Sequence, residues 1–325
     1  MRGIAQMANR EQLTFASARF DVYRRPTRRD RFLQQMGKAM PWDSLIGLIA
    51  PFYPKEGQPG RPVTPLVLMI KIYFLQIWFN LSDPEAEELM HDSLAVQRFL
   101  NLDLGRDRPP DETTINRFRN LIKEHKLGEK ILKTVNEHLE RAGITIKKGT
   151  IVDATVISAP TSTKNERQSR DPEMGSTKKG DQWYFGAKLH VGVDSRTKVI
   201  HSVSLTPANV HDSQMLSELL HGGERRVYGD KAYVGQKEAI RKKAPRARRN
   251  APLGEKELRS NRWKSRIRSR VEHVFGVIKH IFGWVKVRYR GIEKNLQYAY
   301  GVAAAVNVYI HRRVLSEKTA ALSPA

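Results

Sequence analysis

The 325-residue sequence contains no cysteine, which excludes disulfide bonds, thiolate zinc sites and cysteine nucleophiles and fits a reducing compartment. It also lacks a long unbroken apolar run. Residues 1–17 have none, so no secretory signal is expected, and the most apolar stretch, 65–81, is interrupted by Lys71, Gln76 and Asn80. We expect that stretch to form a buried helix in a cytoplasmic protein without a membrane segment.

Acidic residues are scarce relative to basic ones. The chain has 34 Asp and Glu against 57 Lys and Arg, a formal net charge of +23. Residues 236–270 alone contain fourteen Lys or Arg and three Glu, a net charge of +11 by count. A polyanion is the natural partner of such a chain, and nucleic acid is the most common polyanion for a cytosolic protein. Hydrophobic residues make up 40% of the sequence, which is enough for a folded core.

The first half of the chain alternates short amphipathic segments with proline, glycine and capping residues. Helices are predicted at residues 31–53, as one helix or two short ones, and at 65–79, 84–98, 112–121 and 127–142. The polar segment 1–30, which contains the basic run Arg24–Arg31, is predicted to be a basic N-terminal arm. We therefore predict an all-helical DNA-binding domain at 31–143, in which no single recognition helix stands out.

The pattern changes at Ile144 to β-branched runs mixed with helical segments. Strands are predicted at 150–158, 184–193, 199–205, 225–228 and 248–251, and helices at 209–220, 236–243, 262–282 and 295–314. The polar stretch 160–181 is predicted to be a mobile loop. The order of elements predicts an α/β domain at 144–315, followed by a tail at 316–325.

The segment 262–282 is the helix around which the second half is organised. Its apolar residues recur at steps of three and four and predict one buried stripe: Ile267, Val271, Val274, Ile278 and Ile281. At about 100° per residue, Arg268, Glu272 and Lys279 fall close together on a second face beside that stripe. The stripe can pack on a sheet while a carboxylate and two cations line its border.

Three carboxylates are candidates for a shared metal-binding site. Asp153 lies within an apolar strand, where a carboxylate is costly unless it is paired or bound to metal; Asp230 follows the short strand 226–228; Glu272 lies on the long helix. Each alone is weak, because such acids are more often caps, turn residues or surface ion pairs. Converging carboxylates stay ionised together only around a cation, and oxygen ligands without cysteine favour Mg²⁺ or Mn²⁺.

The motifs resemble those of a known family. Arg268, Glu272 and Lys279 match the RxxxExxxxxxK signature of bacterial insertion-sequence transposases of the fourth and fifth families, although Ser265 stands where the signature usually has Tyr. The fifth family is indicated by further segments: IVDAT at 151–155, TPANVHD at 206–212, GDKAY at 229–233, and GRP and PDETT at 60–62 and 110–114. The chain thus resembles a DDE transposase from about residue 30 to 312.

The resemblance implies an α/β fold with a ribonuclease H-like mixed five-stranded sheet, flanking helices and a preceding all-helical domain. It implies that Asp153, Asp230 and Glu272 hold Mg²⁺, with Mn²⁺ as a substitute, for two-metal phosphoryl transfer on DNA. Arg268 and Lys279 would contact DNA phosphates. The implied partners are the terminal inverted repeats and target DNA, bound by a homodimer at the bacterial nucleoid.

Two other functions remain open from the sequence. One is an Mg²⁺-dependent DNA nuclease that cuts without strand transfer, and the other is an inactive, domesticated DNA-binding protein. His211 and Asp212 are interpreted as capping and first-turn residues of the helix after the hairpin. His190 and His201 are interpreted as strand residues without a zinc role.

Overall fold

The computed structural model describes residues 25–55, 62–146, 149–164, 169–229 and 255–322. At 255–258, 260–262, 264 and 319–322 it describes the backbone only. The predicted helix 236–243 and strand 248–251 lie outside these residues, as do most of the N-terminal arm and part of the basic run 236–270.

Helices fill the described residues up to 146. They are α1 Arg28–Ala39, α2 Trp42–Ile49, α3 Leu66–Phe79, α4 Asp83–Asp92, α5 Leu94–Leu100, α6 Glu112–Glu124 and α7 Leu127–Arg141. The five predicted helical segments are confirmed, 31–53 as two helices, although 84–98 also divides in two. The start of α4 is fixed by a capping box, because Ser82 accepts a hydrogen bond from the Glu85 N–H and the Glu85 carboxylate accepts one from the Ser82 N–H.

Helix α3 is buried on nearly all sides, as predicted for the apolar stretch 65–81. Within the described residues, no single helix is long and apolar enough to span a membrane; α3 and α4 pass that test only as a pair bent by 103°.

Five strands form one mixed sheet: β1 Gly149–Ser158, β2 Gly175–Lys179, β3 Gln182–Asp194, β4 Ile200–Pro207 and β5 Arg226–Tyr228. The order is β2-β3-β1-β5, and β4 also pairs with β3, along the half of β3 that β2 leaves free. All pairs are antiparallel except β1 with β5. The predicted hairpin of β3 and β4 is confirmed.

Two expectations for this half are wrong. The predicted loop 160–181 contains β2, which the sequence hides because an exposed edge strand needs no apolar alternation. The predicted helix 209–220 is instead two short 3₁₀ turns, Asp212–Met215 and Ser217–Leu219. These turns bury Leu216 and Leu219 against Val152 on one face of the sheet, so packing overrides the helical pattern.

Two long helices cover the opposite face of the sheet. Helix α8, Glu255–Gly276, continues into a π-helical turn, Val277–Ile281, and α9 spans Ile292–Leu322. The long helix begins earlier than predicted, and α9 reaches through part of the expected tail. Ile281 was predicted to be buried and is 51% exposed, because the wider π turn shifts the apolar stripe toward Phe282, which is 1% exposed.

Helix α9 joins the helical region to the sheet. It packs on α1, α3 and α7 and also on β4, within one continuous hydrophobic core. Asn307 on α9 is fully buried; it accepts a hydrogen bond from the Ile200 N–H at 2.8 Å and donates to the Ile200 carbonyl and to Asn136. The edge of β4 is therefore satisfied by a helix. The domain boundaries at residues 30, 143 and 315 stay predictions.

Candidate active site

The candidate site lies at an open stretch of the edge of β1. At one end β5 pairs with β1 only as far as Ile151, which lies opposite Tyr228. At the other end Ser158 donates to the Val285 carbonyl at 3.0 Å and accepts from the Val287 N–H at 2.8 Å. Between these two contacts, residues 152–157 of β1 have β3 on one side and no described strand on the other.

Asp153 lies in this open stretch, opposite Val191 of β3. Its side chain is half-buried, and its Oδ1 accepts a hydrogen bond from the Ala154 N–H at 2.8 Å. By alternation along the strand, Asp153 shares the face of Ile151 and Ile157, which belong to the core beneath α8 and α9. The carboxylate thus lies on the helix-covered face of the sheet, beside the gap in its edge.

Lys279 also reaches the open edge. Its Nζ donates to the Val156 carbonyl at 2.9 Å from the π-helical turn that follows α8. Burial lowers the pKa of Lys279, and the charge of Lys179 at the end of β2 lowers it further. The ammonium group is therefore held three residues along β1 from Asp153, within electrostatic reach of a second cation.

Helix α8 packs on β1 and β5 through its apolar stripe. Val271 and Val274 are fully buried, whereas Glu272 between them is exposed and Arg268 is half-buried. The predicted arrangement of α8 is confirmed in this respect, because the acid and the arginine lie outside the buried stripe.

Asp230 lies outside the described residues. Within those residues, no group of three or more His, Cys, Asp or Glu side chains is close enough to hold a metal ion. In sequence, Asp230 is two positions after Tyr228, as Asp153 is two positions after Ile151, the residue paired with Tyr228. The donor set of three carboxylates and no thiol matches the oxygen ligands that Mg²⁺ and Mn²⁺ take.

Two family models match the chain. A transposase DDE domain matches residues 145–308, half of the chain, and a transposase domain matches residues 20–121. The chain belongs to the insertion-sequence DDE transposases. The resemblance read from the sequence motifs is thereby confirmed, and the DDE domain implies nuclease and transposition activity. The comparison with solved structures gave no match.

The transposase has a partly buried ion pair on the opposite face of the sheet. Lys188 on β3 pairs with Asp212 at 2.9 Å and donates to the Val210 carbonyl at 2.8 Å. His211 caps the first 3₁₀ turn by accepting from the Ser213 N–H. The interpretation of His211 and Asp212 as capping and first-turn residues is confirmed, although the turn is 3₁₀, and Lys188 was missed. The pairing of Lys188 with Asp212 depends on β3 passing under this turn, which no local pattern shows.

The strand histidines of the transposase are structural. His190 is fully buried and contacts Thr206 Oγ1 at 2.8 Å through Nε2, and burial lowers its pKa to about 4. Burial also lowers the pKa of His201 to about 4, with the neighbouring His221 ring lowering it further. Both rings are therefore neutral near pH 7. They lie on strands as expected.

Proposed function

We propose that the chain binds the terminal inverted repeats of an insertion sequence and catalyses metal-dependent DNA strand cleavage and strand transfer. In this proposal the sheet and its helices form a ribonuclease H-like catalytic domain. Asp153, Asp230 and Glu272 hold divalent cations, Mg²⁺ or Mn²⁺, and Arg268 and Lys279 contact the DNA phosphates. The protein acts as a homodimer on DNA at the bacterial nucleoid, and the helical region 31–143 contributes to DNA binding.

The register of β1 and β5 is the observation that carries this proposal. The two strands are parallel, and Asp153 and Asp230 each stand two positions beyond the pair Ile151 and Tyr228. Residues in step on neighbouring strands have their Cα atoms about 4.8 Å apart and their side chains on one face. If β5 kept its register, both carboxylates would point toward α8, which carries Glu272.

The gap in the edge of β1 supports a DNA strand at this place. Here the only described side chain that donates to the edge between Ala154 and Ser158 is Lys279. A lysine that bonds to a carbonyl through one proton still has two protons to donate, so Lys279 can contact a phosphate without leaving Val156.

The reaction follows from these positions. An oxygen of water or of a 3′-hydroxyl attacks phosphorus in line with the leaving 3′-oxygen of the cleaved strand. Arg268 holds a phosphate with two parallel N–H donors, which fixes the line of attack. Lys279 offsets charge that develops on the phosphoryl oxygens. When bound, a pair of divalent cations supplies activation of the attacking oxygen and stabilisation of the leaving one.

A joining assay tests this function. The protein is incubated with a labelled duplex from one end of the DNA segment that contains the reading frame, with Mg²⁺ and a target plasmid. We expect label to appear in the plasmid as well as in cleaved duplex. Cleaved duplex without labelled plasmid would mean a nuclease without strand transfer. Binding without cleavage would mean an inactive DNA-binding protein.

A crystal structure tests the carboxylate cluster directly. We expect the side-chain oxygens of Asp153, Asp230 and Glu272 to lie roughly 3 to 8 Å apart before metal binds. An ordered catalytic domain in which any pair is separated by about twice that distance would overturn the assignment. Soaking with Mn²⁺ gives a second readout that is independent of activity, because its anomalous signal locates the ion.

Salt dependence tests the DNA partner. Affinity for duplex should fall steeply with salt, at a log–log slope of about −0.9 for each phosphate contact. A flat dependence would assign the basic excess to another role. Asp153→Asn serves as the control, since removing a carboxylate next to phosphate leaves this slope unchanged and does not weaken binding.

A further inference from the structure

A two-stranded ribbon projects from the end of the sheet. Strand β1 pairs with β3 only from Gly186 onward, so the preceding part of β3, Gln182–Phe185, pairs with β2 alone. We call β2 and this part of β3, with the turn between them, the ribbon; it comprises residues 175–185. Its backbone is paired, yet most of its side chains face solvent.

The ribbon carries a large exposed ring between cations. Trp183 is 68% exposed, and its partner across the ribbon is Lys178. Lys179 follows on β2, opposite Gln182. The ribbon's acid is Asp181 at the turn, which lies 4.0 Å from Lys178 with its own side chain fully in solvent. A single exposed tryptophan is ordinary on a protein surface. Trp183 differs in having lysines as neighbours and in its position near the candidate site.

The base of the ribbon is fixed to the same end of β1 that borders the open edge. Ala159 donates to the Phe185 carbonyl at 2.7 Å, and Gly186 fits so closely that a Cβ there would lie 2.1 Å from the Ile157 carbonyl oxygen. Trp183 is two residues before Phe185, so both side chains are on the face that carries Asp153. The ribbon is therefore rigidly oriented relative to the candidate site.

Electrostatics links the tip of the ribbon to that site as well. The charge of Lys179 lowers the pKa of Lys279, whose ammonium group lies at the open edge of β1. Two cations within electrostatic reach of each other repel. A phosphate backbone that passes both would remove the repulsion.

We propose that the ribbon is a DNA-binding element that enters the major groove of the duplex beside the cleaved phosphate. The inference rests on the proposed function and adds the surface that orients the substrate. Lys178 and Lys179 contact phosphates, and the Trp183 indole makes apolar contact with base edges. A two-stranded ribbon matches the major groove in width. The ribbon carries two lysines and one acid, and this positive charge favours DNA as the partner over a protein surface with few acidic residues.

Four ribbon variants test this in the full-length protein with the terminal duplex as the probe. Lys178→Ala with Lys179→Ala should reduce the magnitude of the log–log salt slope by about 1.8, while the matched pair of Lys→Arg changes keeps it. Trp183→Ala should weaken affinity about tenfold at every salt concentration with the slope unchanged, and Trp183→Phe should restore most of it. All three side chains are exposed, and circular dichroism checks folding.

Chemical protection separates groove insertion from general attraction. Dimethyl sulfate methylates guanine N7 in the major groove, and the parent protein should protect a guanine close to the cleavage position. That protection should be lost in Trp183→Ala and retained in Trp183→Phe. If the parent binds and cleaves while the Ala variants keep the parent slope, affinity and protection, the ribbon inference is overturned and the proposed function stands. A parent that binds no duplex overturns both.

Discussion

Helices α8 and α9 cover neighbouring parts of the same face of the sheet and differ in what they do with polar residues. Helix α9 buries three of them, Asn295, Gln297 and Asn307, and each forms hydrogen bonds with the main chain of another segment. Helix α8 buries an apolar stripe, and the charged side chains that the structure describes on it lie at the border of that stripe or in solvent. Packing accounts for these three buried side chains of α9 and does not account for the exposed Glu272 of α8.

The comparison separates residues that hold the fold from residues that the fold merely positions. On α9, removing a polar side chain leaves a buried group without a partner, which costs about 1–3 kcal/mol. On α8, removing an exposed charge leaves the packing intact. Activity and stability should therefore respond to opposite helices, and pairs of identical substitutions can test this.

The largest effect is expected at Glu272. Glu272→Gln should reduce Mg²⁺-dependent cleavage of a terminal-repeat duplex by roughly a thousandfold or more, because an amide cannot hold a divalent cation against its neighbours and the cation supplies several kcal/mol. Glu272 is exposed beside the stripe, so the variant should stay folded. Glu317→Gln makes the same change at an exposed site on α9 and should cleave like the parent. Near-parental cleavage by Glu272→Gln would mean that Glu272 does not hold a catalytic cation and that α8 has only a structural role.

The second-largest loss of cleavage is expected at Arg268. Arg268→Ala is expected to lower cleavage by about 10- to 100-fold, the loss of a charged hydrogen-bond pair worth about 1.5–3 kcal/mol. Single-turnover cleavage with saturating duplex is the measurement, so that weaker binding is not mistaken for slower chemistry. Arg313→Ala, on the exposed side of α9, is the matched control. Equal rates for the two variants would remove Arg268 from the site.

The opposite response is expected at Asn307. Asn307→Ala should lower the free energy of unfolding by about 1–3 kcal/mol, because the buried Ile200 N–H loses the amide oxygen that accepts from it, while Asn136 still donates to the Ile200 carbonyl. Chemical denaturation followed by circular dichroism measures this. Asn136→Ala should cost less, because Asn307 would still satisfy Ile200. Cleavage by folded Asn307→Ala should match the parent, and a selective loss of cleavage would blur the distinction between the helices.

Among the candidate site residues, the smallest loss of cleavage is expected at Lys279. Lys279→Ala should slow cleavage about tenfold, since one phosphate contact disappears while the carboxylates remain. The variant should also lose about 1 kcal/mol of stability, because the Val156 carbonyl loses its donor. Lys318 on α9 likewise donates to a carbonyl, that of Ala142, from an exposed site. Lys318→Ala should change neither property by a comparable amount.

Sequence patterns predicted most of the elements and the position of Asp153, because both depend on local alternation of apolar and polar residues. The stripe of α8 was readable for the same reason, up to the π turn at Val277–Ile281. The phase of that turn is set by tertiary contacts, and Ile281 was therefore assigned wrongly. Strand β2 was missed because its polar residues form an exposed edge whose partner, β3, supplies the hydrogen bonds.

The candidate residues of the site could be predicted from the sequence, whereas their arrangement in space could not. The spacing of Arg268, Glu272 and Lys279 identifies a helix face, but the bond from Lys279 to Val156 joins residues 123 positions apart, which that spacing does not show. The pairing of Lys188 with Asp212 likewise joins segments 24 residues apart. Such contacts depend on strand lengths and crossings, which composition and periodicity do not contain.

The shared position of α9 has a practical consequence for dividing the chain. A cut near residue 143 would strip α1 and α7 from the helix they cover and expose apolar surface on both pieces. Each piece expressed alone should therefore aggregate, whereas the two expressed together should reassemble into a stable complex. The helical region is thus expected to stay stably folded as a separate piece only when the piece that carries α9 is present.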